Sequence, residues 1–363
     1  MNRRDFLSST ALASVTTAAA AGVSTVPAIR SQAWTIGEPG GYETMQRVER
    51  ELAPQPGEAV VKVAYSAIAA RDLGIARGWF LKDLPPSLVP LSEGVGTVLA
   101  VGEGETRIKV GDRVIGAHFA RWTHGAWTPD NYAVDVGFTA NGWLAEHALL
   151  PTSGLVVLPD GVDDTTAATM SGSGVTAWHA LHSKAGVMSG ETVLSLGTGG
   201  VSTWGLLLAK AAGARVAVTS SSDEKLALMR ELGADITINY RNDREWGKTL
   251  EAQTGGVDVV LENVGRLTLD QSMYATAPNA RIVMIGTGRM PDELPRMPGL
   301  YEKNLSIVAI SNGSRVMLEN LVRAADANQI RSVIGATYAF NEAPAAFEFA
   351  AKSSHAGKIL IKH

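Results

Sequence analysis

The sequence contains no cysteine among its 363 residues. That absence excludes disulfides, iron–sulfur clusters, thiol nucleophiles and every zinc site that needs a thiolate ligand. The chain also lacks a basic stripe, because 36 acidic residues stand against 32 basic ones and give a formal net charge of −4. Nucleic-acid binding depends on neutralising phosphates with Lys and Arg, so this charge balance excludes a nucleic-acid partner.

The composition is that of a globular protein with a large core. Hydrophobic residues make up 45% and charged residues 19% of the chain, which argues against disorder. With roughly 150 residues per domain as a guide, 363 residues predict two domains rather than one. There are no internal repeats.

Residues 1–30 differ from the rest of the chain. Arg3 and Arg4 precede an uncharged run, rich in Ala, Ser and Thr, from Phe6 to Ile29, and this run ends with small residues at Val26-Pro27-Ala28. A basic start, a mildly apolar run and a small-residue exit are typical of a signal peptide, and the paired arginines resemble a twin-arginine signal. A spanning helix needs about 20 strongly apolar residues, so a membrane anchor is the less favoured alternative. We therefore expect twin-arginine export to the periplasm without stable membrane insertion, or a cytoplasmic protein if the signal is not used.

Two regions with different hydrophobic patterns follow residues 1–30. From Trp34 to about Ala168 apolar and polar residues alternate, as in Ala59–Tyr65 and Gly96–Val101, with many turn residues, which predicts a mostly antiparallel β domain. From Thr192 onward, short apolar strands alternate with helical text. The predicted strands are Thr192–Leu196, Arg215–Thr219, Ile236–Ile238, Val257–Leu261 and Arg281–Ile285, and the clearest helices are Trp204–Ala212 and Glu224–Leu232. Such alternation predicts a parallel sheet with helices on both faces. The last fifty residues return to mixed text and end in the apolar strand Lys358–Ile361.

A glycine-rich loop follows the first of these strands. It reads Gly197-Thr198-Gly199-Gly200-Val201-Ser202 and matches the first two glycines of G-x-G-x-x-G, with Ser202 at the third. The first glycine permits a tight turn, and the second lets a pyrophosphate approach the amides at a helix N-terminus. Because the loop follows a strand and opens a helix, it predicts dinucleotide binding.

The end of the second strand bears on the choice of cofactor. A carboxylate about twenty residues beyond the loop normally holds the ribose 2′-hydroxyl of NAD. Here Thr219 is followed by three serines, Ser220 to Ser222, and no acid occurs before Asp223. Serines and Lys225 suit a 2′-phosphate, so the sequence favours NADP, with NAD still possible. The alternative is that Lys225 only decorates a solvated helix face.

Several motifs together resemble the medium-chain dehydrogenase/reductase superfamily. They are the glycine loop, Gly111-Asp112-Arg113-Val114, Gly174-Val175-Thr176-Ala177-Trp178, Ala209-Lys210-Ala211-Ala212-Gly213-Ala214, Leu232-Gly233-Ala234-Asp235 and Ile238-Asn239-Tyr240. The zinc-independent, quinone-oxidoreductase-like branch is the most similar. The resemblance implies an α/β fold in which a Rossmann doubly wound parallel sheet is inserted into a GroES-like, mostly β domain. It implies a first GroES-like part at 31–172, a Rossmann domain at 173–311 and a return to the first domain at 312–363.

The resemblance also implies roles for individual residues. Gly197, Gly199, Gly200 and Val201 would form the pyrophosphate loop, and Ser220, Lys225 and Tyr240 would surround the 2′-phosphate. Thr176, Gly286 and Thr287 would line the nicotinamide side, and Lys358 is a further cofactor contact. Tyr240 and Thr176 could instead be simple packing and turn residues.

The expected zinc ligands are missing. Zinc-dependent members carry Cys, His and Cys or Asp at positions that correspond here to Ala69, Ser92 and Ser173. Since a catalytic zinc usually needs three protein ligands, we expect no metal. His179 and His182 are spaced to share a helix face, but no third ligand is evident. The segment from His118 to Asp130 stands where relatives have a cysteine-rich structural-zinc lobe.

A mechanism follows from the missing zinc. Without a Lewis acid, hydride transfer from NADPH favours a substrate already activated by conjugation, such as a quinone or an α,β-unsaturated carbonyl. A polar group at the developing oxyanion would assist, and the candidates are Arg71 and Ser92, with Trp122 as an aromatic wall. Relatives often carry Asn-Tyr where this chain has Ala69-Ala70, which suggests a more apolar cleft. Arg71 could equally form a structural ion pair.

The sequence thus predicts an exported, zinc-independent NADPH-dependent oxidoreductase acting on a small molecule. Two alternatives stay open: an NAD(P)-dependent alcohol dehydrogenase, and a non-catalytic exported binding protein on the same scaffold. Relatives are commonly dimers, so we expect a homodimer.

Overall fold

The computed structural model describes residues 27–36, 42–77, 85, 87–286, 288, 294–352 and 354–363. Nearly all of the expected signal peptide, residues 1–26, lies outside this range. The first strand begins at Ile29 and pairs Arg30 with Glu51, so the expected leader overlaps the start of the folded chain by two residues.

The N-terminal part of the chain is built from antiparallel strands. A hairpin of β1 and β2 packs beside a larger sheet in which β3 pairs with both β4 and β6, while β5 joins β4 to β7. The strands are β1 (Ile29–Thr35), β2 (Gln46–Leu52), β3 (Glu58–Ile68), β4 (Glu93–Val101), β5 (Arg113–Gly116), β6 (His147–Pro151) and β7 (Leu155–Val157), with short helices α1 (Ala70–Ala76) and α2 (Asp164–Ala167). This confirms the predicted antiparallel domain.

A continuous helical segment from residue 170 to residue 185 leads into the second domain. It is π-helical at both ends, Met170–Gly174 and His179–Ala185, with one α-helical turn, α3 (Val175–Trp178), between them. Buried residues of this segment pack against Trp204 and Leu321. The π-helical geometry is a feature that periodicity does not predict, since it widens the helix at single turns.

The second domain is a parallel sheet with the order β10-β9-β8-β11-β12-β13. Helices cover both faces, and the point at which the strand order reverses lies between β8 and β11, where such sheets bind nucleotides. The elements are β8 (Thr192–Leu196), α4 (Gly200–Ala211), β9 (Arg215–Ser220), α5 (Asp223–Glu231), β10 (Ile236–Asn239), α6 (Trp246–Thr254), β11 (Val257–Glu262), α7 (Leu269–Tyr274), β12 (Thr276–Met284) and β13 (Ser306–Ala309). Each predicted strand is present, although β12 starts five residues before Arg281.

The chain end returns to the first domain. After α8 (Arg315–Ala327), strand β14 (Ile334–Ala339) runs parallel to β15 (Lys358–Lys362), with α9 (Ala343–Ala351) between them, and β15 pairs with β3. The insertion topology is therefore as predicted. In the part of the chain that the structure describes, no helix is long and apolar enough to cross a membrane.

Candidate active site

The glycine loop lies at the C-terminal end of β8 and opens α4. Gly197 has φ +79°, a left-handed conformation that glycine adopts without strain, and its N–H donates to Thr219 O at 2.9 Å. A side chain built on Gly199 would meet nothing within 4 Å, so the space in front of the helix is open. The first N–H groups of a helix have no partner inside it and favour an anion. The loop therefore fits a pyrophosphate.

The C-terminal part of the chain is hydrogen-bonded to this loop and packs against it. Gly357 N–H donates to Thr198 O at 2.8 Å, and a Cβ on Gly200 would lie 2.5 Å from Lys358 Cδ and 2.6 Å from Ser173 Oγ. Lys358 thus runs along the first turn of α4. That Lys358 contacts the cofactor stays a prediction.

The predicted 2′-phosphate residues come together at the end of β9. Ser220 is buried, its carbonyl accepts from Tyr240 N–H at 3.0 Å, and the tyrosine side chain is 38% exposed. Lys225 lies in the first turn of α5, where Ser222 Oγ caps its N–H at 3.3 Å. Burial lowers the pKa of Lys225, and the nearby Arg241 lowers it further. Arg241 is a basic group that sequence reasoning missed, although it directly follows Tyr240.

Two lysines act electrostatically on His355. Burial lowers the pKa of His355, and the positive charges of Lys225 and Lys358 lower it further. The charges of both lysines, which lie at opposite ends of the expected cofactor path, therefore act on His355. Such a field suits a ligand that carries several phosphates.

The expected nicotinamide side is a small polar cluster. Thr176 Oγ1 donates to Gly172 O at 2.6 Å, while Asn312 Nδ2 donates to Thr176 Oγ1 at 3.2 Å and to Gly172 O at 3.0 Å. Asn312 Oδ1 is buried and has no partner. Gly286 N–H donates to Glu262 O, and Thr287 lies outside the described residues. Asn312 has no motif around it, so the sequence alone could not indicate it.

A buried ion pair lies beneath the loop. Glu93 Oε1 accepts from Lys358 Nζ at 3.0 Å and from Ser173 N–H at 3.0 Å, and both charged side chains are at most 3% exposed. Burial raises the pKa of Glu93 to about 7 despite Lys358, and the neighbouring Asp72 raises it further. Burial likewise raises the pKa of Asp72.

The residues at the three zinc-ligand positions do not fit a zinc ion. Ala69 has no donor atom, the Ser92 hydroxyl is buried without a partner, and Ser173 is bonded to Glu93. In the ranges the structure describes, no group of three or more His, Cys, Asp or Glu side chains could hold a metal. The described residues at these positions therefore offer no ligand set for a zinc ion.

The two helical histidines have separate partners. His179 Nδ1 bonds the carbonyls of Ser311 and Asn312 at 3.0 and 2.8 Å, whereas the His182 ring stacks on Trp178 at 4.2 Å. Because carbonyls only accept, His179 Nδ1 carries the proton. The pair is thus used in packing rather than directed at a common ion.

The structure places Arg71 in an ion pair. Arg71 Nη1 lies 2.5 Å from Asp135 Oδ1, and its Nη2 donates to Val136 O at 2.9 Å. His118 Nε2 lies 3.0 Å from the same Oδ1. Burial would raise the pKa of Asp135, but His118 and Arg71 outweigh it and hold that pKa below its usual value. Arg71 therefore forms the ion pair that the sequence left open as an alternative, and Asp135 is its partner. A contact between Arg71 and the substrate stays a prediction.

Trp122 packs inside an aromatic cluster. It is 2% exposed, its indole N–H donates to Gly125 O at 3.1 Å, and its ring meets Trp127 at 5.1 Å and His179 at 5.7 Å. The main chain at Trp122 also accepts from Arg315 N–H at the start of α8. Trp122, the predicted aromatic wall, therefore packs between residues of the two domains. Its side chain exposes almost no surface.

Two family models match the chain. Residues 55–160 match the model described as the alcohol dehydrogenase GroES-like domain, and residues 200–327 match the one described as zinc-binding dehydrogenase. A zinc-type alcohol dehydrogenase-like protein of Schizosaccharomyces pombe is 35% identical over 337 residues, which cover 90% of this chain and 97% of the relative. The chain belongs to the medium-chain dehydrogenase/reductase superfamily.

Other members of the superfamily carry different activities in their names. An acryloyl-coenzyme A reductase of Metallosphaera sedula is 27% identical and covers 90% of this chain and 97% of its own. A protein of Sinorhizobium meliloti 1021, solved under the name of an alcohol dehydrogenase, is 34% identical with a TM-score of 0.85 over 92% of this chain and 99% of that one.

Two further solved structures bear on cofactor and metal. A mycobacterial protein solved with NADPH is 26% identical, with a TM-score of 0.76 over 92% of this chain and 100% of that one. A thermostable alcohol dehydrogenase from Pyrobaculum aerophilum, solved with cobalt and zinc bound, is 25% identical, with a TM-score of 0.78 over the same shares.

These matches extend over both domains and confirm the predicted fold. With the pyrophosphate loop in place, this superfamily member is an NAD(P)H-dependent oxidoreductase related to alcohol dehydrogenases. The non-catalytic alternative has no support from the relatives.

Proposed function

We propose that this enzyme uses NADPH to reduce a conjugated carbonyl compound, either a quinone or an α,β-unsaturated carbonyl, without a catalytic zinc. One observation carries the proposal: Ala69, Ser92 and Ser173 occupy the three zinc-ligand positions beside a pyrophosphate loop that is otherwise intact. An alcohol lacks the activation that a metal gives, whereas a conjugated acceptor takes a hydride without it.

The bound nicotinamide supplies the hydride, and the protein supplies position and polarity. The loop at Gly199 holds the pyrophosphate, and Thr176 with Asn312 borders the nicotinamide side. At the oxyanion, the Ser92 hydroxyl is a donor without a partner, while both Nη atoms of Arg71 are already bonded. Ser92 is also fully buried, so the described contacts favour neither of the two predicted candidates.

The preference for NADPH rests on the adenosine end. Ser220 stands where a ribose-binding acid would repel a phosphate, and Lys225 and Arg241 add positive charge near Tyr240. The mycobacterial relative solved with NADPH supports the same choice. The acryloyl-coenzyme A reductase relative supports a conjugated substrate.

An NAD(P)-dependent alcohol dehydrogenase is the second candidate, because relatives carry that name. The two candidates differ in metal and in substrate. The test is NADPH consumption with benzoquinone, methyl vinyl ketone or acetaldehyde, before and after dialysis against EDTA, with zinc measured on the protein before dialysis. We expect turnover with a conjugated acceptor and substoichiometric zinc. Turnover of acetaldehyde alone, lost on dialysis and restored by zinc, would establish the alcohol dehydrogenase instead.

We also propose that residues 1–30 direct export through the twin-arginine machinery, as Arg3, Arg4 and the uncharged run suggest. Cleavage after Ala28 would leave β1 complete, because that strand begins at Ile29. Replacing both arginines by lysine should keep the protein in the cytoplasm of a bacterial host. Equal export of that variant would contradict the proposal.

We propose a homodimer in solution. Among the described strands, β13 pairs only with β12 and forms one edge of the parallel sheet, and Val308 within β13 is 36% exposed. An uncovered strand edge is a template for pairing with another chain. Light scattering should give twice the chain mass, and Val308→Lys should lower it. A monomeric wild-type protein would contradict this.

A further inference from the structure

A cavity of about 310 Å³ lies in the first domain, between β2, the start of β3, β6 and the loop around residue 140. None of its lining residues belongs to the glycine loop, the Glu93 pair or the nicotinamide side. A second cavity of about 360 Å³ adjoins it and shares Arg50, Ala140 and Asn141. Volumes of this size are at the small end of the range for small-molecule sites.

Arg50 lines both cavities, the first together with Glu58 and the second together with Glu49, and among the described residues neither carboxylate forms an ion pair with it. In the described chain its guanidinium has no ion pair and no hydrogen-bond partner, and burial lowers its pKa. Arg50 faces Ser31 across the β1–β2 hairpin, and Ser31 Oγ accepts from His147 N–H at 2.9 Å. Since residues directly opposite in a hairpin share a face, Arg50 is directed toward His147. A half-buried arginine without a partner is costly unless a ligand satisfies it.

Two further nitrogen-bearing side chains, Asn141 and His147, line this cavity. His147 Nδ1 is buried and has no partner. Asn141 Oδ1 accepts from Val89 N–H at 3.0 Å, which leaves its amide N–H groups without a partner among the described residues. Glu58 is the carboxylate at this cavity, and its Oε2 accepts from Gln55 N–H. The Arg50 guanidinium and the Asn141 amide are therefore the donors of this lining, whereas the His147 Nδ1 atom has almost no accessible surface.

The rest of the lining is apolar and includes Leu52, Val89, Ala148 and Leu149. One carboxylate and one histidine are too few to hold a metal ion. A single guanidinium, without a helix N-terminus, is a poor polyphosphate site but suits one carboxylate through paired N–H donors. We propose that this cavity binds a small monocarboxylate with an apolar body, at a site separate from the cofactor groove.

Calorimetric titration of the full chain with benzoate tests the proposal, with benzamide as the neutral analogue. We expect saturable benzoate binding and at least tenfold weaker benzamide binding, since charge-assisted hydrogen bonds contribute roughly 1.5–3 kcal/mol, about 10- to 100-fold in affinity. Arg50→Gln should weaken benzoate by a similar factor, and Arg50→Lys by less, because it keeps the charge but loses the fork. Arg30→Gln removes an exposed arginine from the partner strand and should change nothing.

Saturation with NADPH locates the binding. Benzoate affinity should be the same with and without NADPH, because the cavity shares no residue with the glycine loop. Competition with NADPH, equal affinity in the folded Arg50→Gln protein, or no saturable binding of benzoate would each overturn the proposal. These results leave the proposed reductase activity untouched, so the two proposals fail separately.

Discussion

Lys358 Nζ lies 3.0 Å from Glu93 Oε1, which joins the last strand of the chain to a strand 265 residues earlier. The lysine stem runs along the first turn of α4, so one side chain contacts both the cofactor loop and the region where relatives bind zinc. In this enzyme a buried ion pair, beside two serines, stands in that region.

The pH dependence of stability should report Glu93. Because its folded pKa of about 7 lies above the ordinary 4.5, the native state holds a proton that the unfolded state loses, and stability falls as pH rises through this window. Glu93→Gln keeps an acceptor for Lys358 but cannot titrate. Wild type should therefore lose up to about 3 kcal/mol relative to this variant between pH 5 and pH 8, measured by urea unfolding. Parallel curves would contradict the raised pKa.

Lys225→Ala should separate the two cofactors. Losing a charge-assisted contact to the 2′-phosphate should weaken NADPH binding about 10- to 100-fold and leave NADH nearly unchanged. Lys210→Ala is the control, since Lys210 pairs with Asp235 at 2.9 Å on the far end of α4. Fluorescence titration measures the affinity of each variant for NADPH and for NADH. Equal weakening of both cofactors by Lys225→Ala would remove the 2′-phosphate assignment.

Ser220→Asp should reverse the preference. A carboxylate at this buried position would accept from a ribose 2′-hydroxyl and repel a 2′-phosphate, so NADH should bind more tightly than NADPH. Ser220→Asn has similar size without charge and should reduce both affinities modestly. If the aspartate variant still prefers NADPH, the phosphate is recognised elsewhere.

Alanine substitutions at two glycines of the same loop should have different effects. Gly199→Ala meets nothing within 4 Å, so the thermal midpoint should hold while NADPH binding falls at least tenfold, because the methyl group occupies the pyrophosphate approach. Gly200→Ala places its methyl against Lys358 and Ser173 and should lower the midpoint by several degrees. The reverse pattern would show that the phosphate does not approach at Gly199.

Local patterns predicted much of this fold. The strand at Thr192–Leu196 has the predicted bounds because a short apolar run ends at a glycine turn. Helix α4 begins at Gly200, four residues before the predicted Trp204, since small polar residues in the first turn carry no apolar period. The insertion of one domain into the other was predicted from motifs, not from periodicity.

The candidate site was likewise predicted only in part from the sequence. Ser220, Lys225 and Tyr240 come together because they follow neighbouring strands at one edge of the sheet. The partner of Glu93 is 265 residues away, and the partner of Arg71 is 64 residues away, so spacing could not indicate either pair. A glutamate at the start of an apolar strand was the available signal for Glu93.

The most direct measurement is a fluorescence titration of the purified protein with NADPH and with NADH at moderate salt. The structure predicts saturable binding of both, tighter for NADPH by at least tenfold, because the loop at Gly199 is open and the end of β9 carries serines and Lys225. Preference for NADH would overturn the phosphate pocket. Binding of neither cofactor would contradict the proposal that this chain is an NADPH-dependent reductase.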